Sequence, residues 1–307
     1  MPTPPSTAKE IVLTETQSTT ASEINRVSVI GAGTMGAQIA MVAALAGFST
    51  DLIDIKEQQL EQARTSLAKR LDRDVQKGRR SQDEVDATWD RMNLTTDRDA
   101  AVKQSDFVIE AAVEDLGIKK SLFSELDELC PPHTILATNS SNIVSSRIAE
   151  ATNRPEKVCN MHFFNPALVM KCVEVVPNPQ TSSETVATTT ALAEAMGKDP
   201  VQLHKEVPGF VANRLLNALR KEALDLYNKG IVDFQDIDTA AKTALGHPMG
   251  PFELMDLVGI DVVYLIRLAE YEQTGDPASL PDPAVKELYE AGRYGRKSGH
   301  GWYSYES

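Results

Sequence analysis

The stretch Val27-Ser28-Val29-Ile30-Gly31-Ala32-Gly33-Thr34-Met35-Gly36 decides the fold. Its apolar opening reads as a buried strand, its glycines as a tight turn, and the residues after them as the start of a helix. Gly31 permits the turn, Gly33 lets the backbone approach a pyrophosphate, and Gly36 lets helix and strand pack closely. The helix, expected over residues 37–46, offers free N–H groups and the positive end of its dipole to phosphates. Gly31, Gly33, Thr34, Met35 and Gly36 are therefore expected to line a dinucleotide. The run from Ser49 reads as a second strand and ends in Asp54, eighteen residues beyond Gly36. A carboxylate there accepts hydrogen bonds from the adenosine ribose and repels the 2′-phosphate of NADP. Lys56 softens that preference without reversing it, so NAD is the expected cofactor.

Outward from this motif, strand-like and helix-like segments alternate from Arg26 to about Lys205. Further strands are expected at Phe107–Ala111, Ile135–Ala137, Val158–Met161 and Lys171–Val176, with a long helix from near Lys56 to beyond Lys77. Beyond Pro208-Gly209 the strands vanish and helical periodicity takes over, as in Leu215, Leu216, Leu219, Ala223 and Leu224. Asp233, Pro251 and Pro283 mark the starts of later helices. The expected fold is α/β, a Rossmann-like doubly wound and mostly parallel sheet followed by an all-helical C-terminal domain. Its parts are a flexible leader over 1–24, an NAD-binding domain over 25–207 and a helical domain over 208–307. An edge strand over Glu10–Thr14 is the alternative for the leader. The apolar faces of the helical part imply a homodimer.

A length of 307 residues with 42% hydrophobic residues suits two soluble domains. No apolar run approaches the roughly 20 residues of a membrane span. The first residues lack both the apolar core of a signal peptide and the Arg-rich face of a mitochondrial presequence. Cys130, Cys159 and Cys172 form no CxxC pair and no disulfide framework, which points to the cytoplasm. Cys172 reads as a small packing residue rather than a nucleophile. The histidines show no metal-ligand spacing, and a net charge of −13 argues against nucleic acid or anionic membranes as partners.

The densest chemistry lies between Thr138 and Glu174: Asn139-Ser140-Ser141-Asn142, His162-Phe163-Phe164-Asn165-Pro166 and Met170-Lys171-Cys172-Val173-Glu174. Asn139 and Ser141 come directly after a short strand, at the carboxyl edge where open α/β sheets bind ligands. His162 ends a strand and has a carboxylate twelve residues on, which suits an imidazole base oriented by an acid.

These strings resemble the 3-hydroxyacyl-CoA dehydrogenase family, from Arg26 to Tyr303. The resemblance includes Val108-Ile-Glu-Ala-Ala-Val-Glu114, Pro208-Gly-Phe-Val-Ala-Asn-Arg214, Gly246-His-Pro-Met-Gly-Pro-Phe-Glu253 and Gly295-Arg-Lys-Ser-Gly-His-Gly-Trp-Tyr303. It implies His162 as catalytic base, Glu174 as the acid that holds it, Ser141 as donor to the reacting oxygen, and Asn213 as a further site residue from the second domain. It also implies cofactor contacts from Glu114, Lys119 and Asn139, and substrate contact near Asn165. The implied activity is NAD-dependent oxidation of (S)-3-hydroxyacyl-CoA to 3-oxoacyl-CoA and the reverse, on short chains such as 3-hydroxybutyryl-CoA. One departure is Asn-Ser-Ser-Asn where the family commonly reads Asn-Thr-Ser-Ser, which brings Asn142 beside the site.

Arg64, Lys69, Arg70, Arg73, Lys77, Arg79 and Arg80 face only Asp72 and Asp74 over one helical stretch, in an otherwise acidic chain. Ser66, Arg73 and Lys77 share one helix face, Ser66 and Arg73 match family positions that contact the CoA tail, and Arg73 and Lys77 are expected to contact phosphate. Two other readings remain: a dehydrogenase of non-CoA hydroxy acids of the sugar-acid or carnitine type, and a non-catalytic NAD(H)-binding sensor.

Overall fold

The computed structural model describes residues 24–305, except the side chains of Gln273 and Thr274. The proposed leader and the Glu10–Thr14 strand thus lie outside the described residues. The chain forms two compact units that divide between Phe210 and Val211.

The first unit is built on one sheet of eight strands. In chain order its elements are β1 (Arg26–Ile30), α1 (Thr34–Leu45), β2 (Ser49–Ile53), α2 (Glu57–Gln76), α3 (Gln82–Asp90), β3 (Met92–Thr95) and α4 (Arg98–Val102). Next come β4 (Phe107–Glu110), α5 (Leu116–Leu129), β5 (Ile135–Thr138), α6 (Ser145–Ala149), β6 (Val158–Phe163), β7 (Cys172–Pro177), α7 (Ser183–Ala195) and β8 (Asp199–Gln202). The strand order is β3-β2-β1-β4-β5-β6-β7-β8, and every pair is parallel except β6 with β7. The chain steps outward from β1 to β3 and then returns to β4 on the other side of β1. That reversal opens the crevice in which doubly wound sheets hold ligands.

Strands β1, β4, β5 and β6 are buried on both faces, which is why they read as near-continuous apolar runs. Val27 and Val29 pack with Ile39 and Met41 of α1, while Ile30 and Val108 pack with Phe123 and Leu126 of α5. The structure corrects several expected bounds. The first helix begins at Thr34 rather than Ala37, because Gly33 already has the extended N-cap backbone. The second strand ends at Ile53, leaving Ile55 exposed, and the long helix ends at Gln76 with Lys77 as its C-cap. Strands β3 and β8 have no counterpart among the expected elements.

The second unit contains α8 (Ala212–Asn228), α9 (Phe234–Thr243), α10 (Pro251–Val258), α11 (Ile260–Thr274) and α12 (Pro283–Glu290). Asp233, Pro251 and Pro283 stand at the starts of α9, α10 and α12, as read from the sequence. Its core combines aliphatic residues such as Leu224, Ile260 and Val263 with an aromatic cluster: the Phe252 and Trp302 rings lie 4.6 Å apart, and Phe234 and Tyr303 lie 5.0 Å apart. Such edge-to-face contacts add to simple area burial.

Candidate active site

The glycine loop leaves β1 between β2 and β4. Gly31 has φ +101°, and a Cβ on it would sit 2.6 Å from the Ala111 carbonyl oxygen. A Cβ on Gly36 would sit 1.8 Å from the Gly31 oxygen, so the helix approaches the loop only because both side chains are absent. At Gly33, by contrast, a Cβ would enter open space, which leaves this backbone open to a ligand. Helix α1 starts with no side-chain cap from Gly33 and no acid in its first turn, which leaves its positive end available to phosphate. Asp54 holds the loop from below: its Oδ2 accepts from Ala32 N at 2.8 Å and its Oδ1 from Lys56 N at 2.9 Å. An uncapped helix start, an open approach at Gly33 and a carboxylate beside the loop together fit a dinucleotide.

The carboxyl ends of β4 and β5 carry a network that the sequence reading did not resolve. Glu110 is fully buried and accepts from Ala112 N at 2.7 Å, from Thr138 Oγ1 at 2.6 Å and from Lys119 Nζ at 2.6 and 2.8 Å. Lys119 is only 1% exposed, with Glu114 Oε2 at 3.4 Å. The ammonium expected to reach the cofactor therefore sits among protein carboxylates, with Glu114 the more exposed of the two acids. Glu114 Oε1 in turn accepts from Ser140 Oγ and, at 3.2 Å, from Asn142 N. Asn142 is exposed and meets this carboxylate through its backbone. Asn139 Oδ1 accepts from Phe163 N at 2.9 Å, tying the loop after β5 to the end of β6.

His162 and Glu174 are cross-strand partners in the antiparallel β6–β7 pair. Direct opposition in such a pair brings side chains together on one face. His162 Nδ1 lies 2.8 Å from Glu174 Oε2, and Ser141 Oγ lies 3.0 Å from His162 Nε2. His162 is 3% exposed and Glu174 is 0% exposed. With the carboxylate on Nδ1, the network assigns the proton of a neutral ring to Nδ1 and leaves Nε2 as acceptor. Two aromatic rings wall the imidazole: Phe164 at 4.6 Å and Phe210 at 5.4 Å between centroids. Phe210 takes a left-handed backbone, φ +48°, and is buried, a placement with no sequence signal. Asn165 precedes a cis proline on the loop between β6 and β7. Buried Lys198 donates to the carbonyls of Ala167 and Met170 on that loop, and burial holds its ammonium below the usual lysine range.

Cys172 opens β7. Burial, with the Glu174 and Asp199 carboxylates nearby, pushes its thiol up, which disfavours the nucleophilic thiolate.

On α2, Asp74 pairs with Arg70 at 3.6 Å and with Arg79 at 3.3 Å. A cavity of about 640 Å³ is lined by Arg64, Lys69, Asp72, Arg73 and Gln76, together with Thr65 and Ala68. Arg73 thus faces the cavity, whereas Ser66 and Lys77 are outside its lining, and the Ser66 hydroxyl donates to Ala63 O at 3.0 Å. Asn213 lies in the first turn of α8, in the second unit.

Two family models match in order: the 3-hydroxyacyl-CoA dehydrogenase NAD binding domain over residues 26–207 and the C-terminal domain of the same enzymes over 209–305. The chain belongs to the 3-hydroxyacyl-CoA dehydrogenase family. Among curated relatives, a probable 3-hydroxybutyryl-CoA dehydrogenase of Bacillus subtilis is 41% identical over 284 residues, covering 92% of this chain and 98% of that protein. The mitochondrial hydroxyacyl-coenzyme A dehydrogenase of Homo sapiens is 39% identical, covering 92% of each. The crystal structure of (S)-3-hydroxybutyryl-CoA dehydrogenase PaaH1 from Ralstonia eutropha superposes with a TM-score of 0.84 at 34% identity, covering 92% of this chain and 100% of that one. As a family member, the chain is an oxidoreductase with an NAD-binding domain. No helix among the described residues is long and apolar enough to cross a membrane.

Proposed function

We propose that this dehydrogenase interconverts (S)-3-hydroxyacyl-CoA and 3-oxoacyl-CoA on short chains, with NAD as cofactor and His162 as the proton-transfer residue. The observation that carries the reading is the line Ser141 Oγ, His162 Nε2, His162 Nδ1, Glu174 Oε2, with steps of 3.0 and 2.8 Å. In oxidation, Nε2 accepts the hydroxyl proton of the substrate while Ser141 hydrogen-bonds the same oxygen. Glu174 keeps the ring in the productive tautomer and stabilises the imidazolium that forms. In reduction, the protonated ring and the serine hydroxyl polarise the ketone. NAD, when bound, supplies hydride acceptance and donation at the same carbon.

Gly31, Gly33, Thr34, Met35, Gly36, Asp54, Glu114 and Asn139 form the proposed cofactor set, with Lys119 acting through the acids it neutralises. Asn213 is assigned to the catalytic set, Asn165 to the substrate, and Arg73 with Lys77 to the phosphates of the CoA tail, Arg73 being supported by the basic lining of its cavity. Residues 25–207 are the proposed NAD-binding domain and 208–307 the substrate and dimerisation domain. A homodimer is supported by exposed Leu215, Leu257, Leu265 and Ile266 in the second unit. Free Cys130, Cys159 and Cys172 support a cytoplasmic location.

Steady-state assays test the reading. Acetoacetyl-CoA with NADH is expected to turn over well, free acetoacetate poorly, and NADPH to replace NADH poorly. Asp54→Ala is expected to weaken NADH and narrow that cofactor preference. Faster turnover of the free acid, or a wild-type preference for NADPH, would overturn the substrate or cofactor assignment respectively.

A further inference from the structure

The loop carrying Ser141 leaves β5 after Thr138 and does not become helical until Ser145. Its buried backbone groups must therefore find partners outside any ladder. Asn160 supplies several of them. It lies on β6 in register with Thr138 of β5, and two residues before His162, so it shares a sheet face with the imidazole. Its side chain is fully buried, in a strand that otherwise presents Val158, Cys159, Met161 and Phe163 to the core. Its Oδ1 accepts from Ser145 N at 2.8 Å. Its Nδ2 donates to Ile143 O at 3.1 Å and to Ser140 O at 3.3 Å.

One amide thus closes on both ends of the segment that contains Ser141. We propose that Asn160 is a positioning residue: it holds the Ser140–Ser145 segment so that Ser141 Oγ stays within hydrogen-bond reach of His162 Nε2. The role of Asn160 rests on the proposed function, in which Ser141 and His162 act on the same substrate oxygen.

Only an amide serves all three contacts. A carboxylate would accept from Ser145 N but set its charge against two carbonyl oxygens. An aliphatic side chain would leave an N–H and two carbonyls without this partner. The segment has two further side-chain supports: Glu114, whose side chain is 40% exposed and accepts from Ser140 and Asn142, and Glu206, which accepts from the Ser145 hydroxyl at 3.0 Å. Asn160 is the buried anchor, and it rides on the same strand as the base. A displacement of His162 and a displacement of the serine loop are thereby tied together, which is what a reaction sensitive to about 1 Å of misplacement requires.

The test is a double-mutant cycle between Asn160→Ala and Ser141→Ala, read as kcat for acetoacetyl-CoA reduction and as Kd for NADH. In the wild-type background, Asn160→Ala is expected to lower kcat about tenfold or more, with NADH Kd changed less than about twofold. In the Ser141→Ala background, the same substitution is expected to change kcat by less than about twofold. An equal loss in both backgrounds, or kcat near wild type in the single variant, overturns the proposal. Should Asn160→Ala not fold, near-isosteric Asn160→Asp carries the same cycle. It keeps the acceptor for Ser145 and removes the donor, and its loss must likewise vanish without the serine. If Ser141→Ala alone leaves kcat unchanged, the assignment of Ser141 itself fails. Additivity of the two substitutions overturns only the role of Asn160.

Discussion

In the first unit the buried Glu174 meets a ring nitrogen of His162 at 2.8 Å, whereas in the second unit the buried Asp256 meets the backbone N–H groups of Trp302 and Tyr303 at 2.8 and 2.9 Å. Tyr305 adds its hydroxyl to Asp256 at 3.0 Å. Asp238, also fully buried, is held in the same way by Phe252 N, Glu253 N and the Tyr303 hydroxyl. All three acids have been taken out of water, and all three are paired. The difference lies in the partner. Backbone N–H groups do not exchange their protons in function, so Asp238 and Asp256 are staples that fix the C-terminal tail onto α9 and α10. An imidazole does exchange its proton, and its far nitrogen here faces a hydroxyl. Burial of a carboxylate gives a scaffold in one unit and, under the proposed function, a proton-transfer site in the other.

The same contrast explains the closing Gly-His-Gly-Trp-Tyr string. A Cβ on Gly301 would sit 2.0 Å from Asp256 Oδ1, and one on Gly295 would sit 2.2 Å from the Asp256 carbonyl oxygen. Those glycines let the tail wrap the carboxylate. The string marks the family, yet its physical work is structural.

The largest expected effect separates chemistry from scaffold. His162→Gln should lower kcat by about two orders of magnitude or more in both directions, because a placed base contributes roughly 10²–10⁴-fold. NADH affinity and melting temperature should stay near wild type, as fluorescence titration and calorimetry would record. Retention of near-normal kcat would remove His162 from the reaction. Next is the converse case, Asp256→Ala. It strands a buried N–H, a part-buried N–H and a part-buried hydroxyl, at about 1–3 kcal/mol each when fully buried. A destabilisation of roughly 3 kcal/mol or more in chemical denaturation is expected, whereas a loss below about 1 kcal/mol would mean that water or a shifted tail replaces the staple.

The smallest expected effects are in the pH dependence of stability. Burial raises the Asp238 carboxyl above its usual range, with the Glu253 carboxylate adding to it, despite the donors it accepts from. Its favourable contribution is thus complete below the unfolded-state value and is lost as pH rises through the folded one. Asp127 in the first unit is the opposite case. Burial would raise it too, but Asn153 N–H and Arg154, at 2.6 Å, hold it below the usual range. Its contribution is present above the unfolded-state value and is lost as pH falls through the folded one. Between about pH 7 and pH 3, Asp127→Asn should therefore lose less stability than wild type, and Asp238→Asn should lose more. Parallel curves for all three proteins would show that neither group titrates with folding.

Much of the first unit was legible because its signals are local. The glycine turn after an apolar run, and an acid at the end of the next strand, are read within about thirty residues. His162 and Glu174 were legible as a pair because both lie on apolar strands that the pattern located, although only the antiparallel register places them face to face. The edge strands escaped detection for a physical reason. Strand β8 is mostly exposed and contains Pro200, tolerated at an edge but contrary to any strand pattern, and β3 is a short strand at the other edge. Glu110 with Lys119 and Asn160 with Ser145 are pairings between different elements. Sequence spacing alone does not distinguish such buried polar residues from exposed ones. Lys77, placed by helical spacing on the face of Arg73, is the C-cap of α2, and its N–H donates to the Arg73 carbonyl one turn before it.

The most direct test of the distinction between the two kinds of buried acid compares Glu174→Gln with Asp238→Asn. Each replaces one buried carboxylate by its amide, and kcat for acetoacetyl-CoA reduction is measured per NADH-binding site, so that unfolded protein is not counted. The account predicts a loss of about tenfold or more for Glu174→Gln, whose imidazole loses its orienting charge, and a change within about twofold for Asp238→Asn. Equal losses in the two variants, or an unchanged kcat in Glu174→Gln, would contradict it.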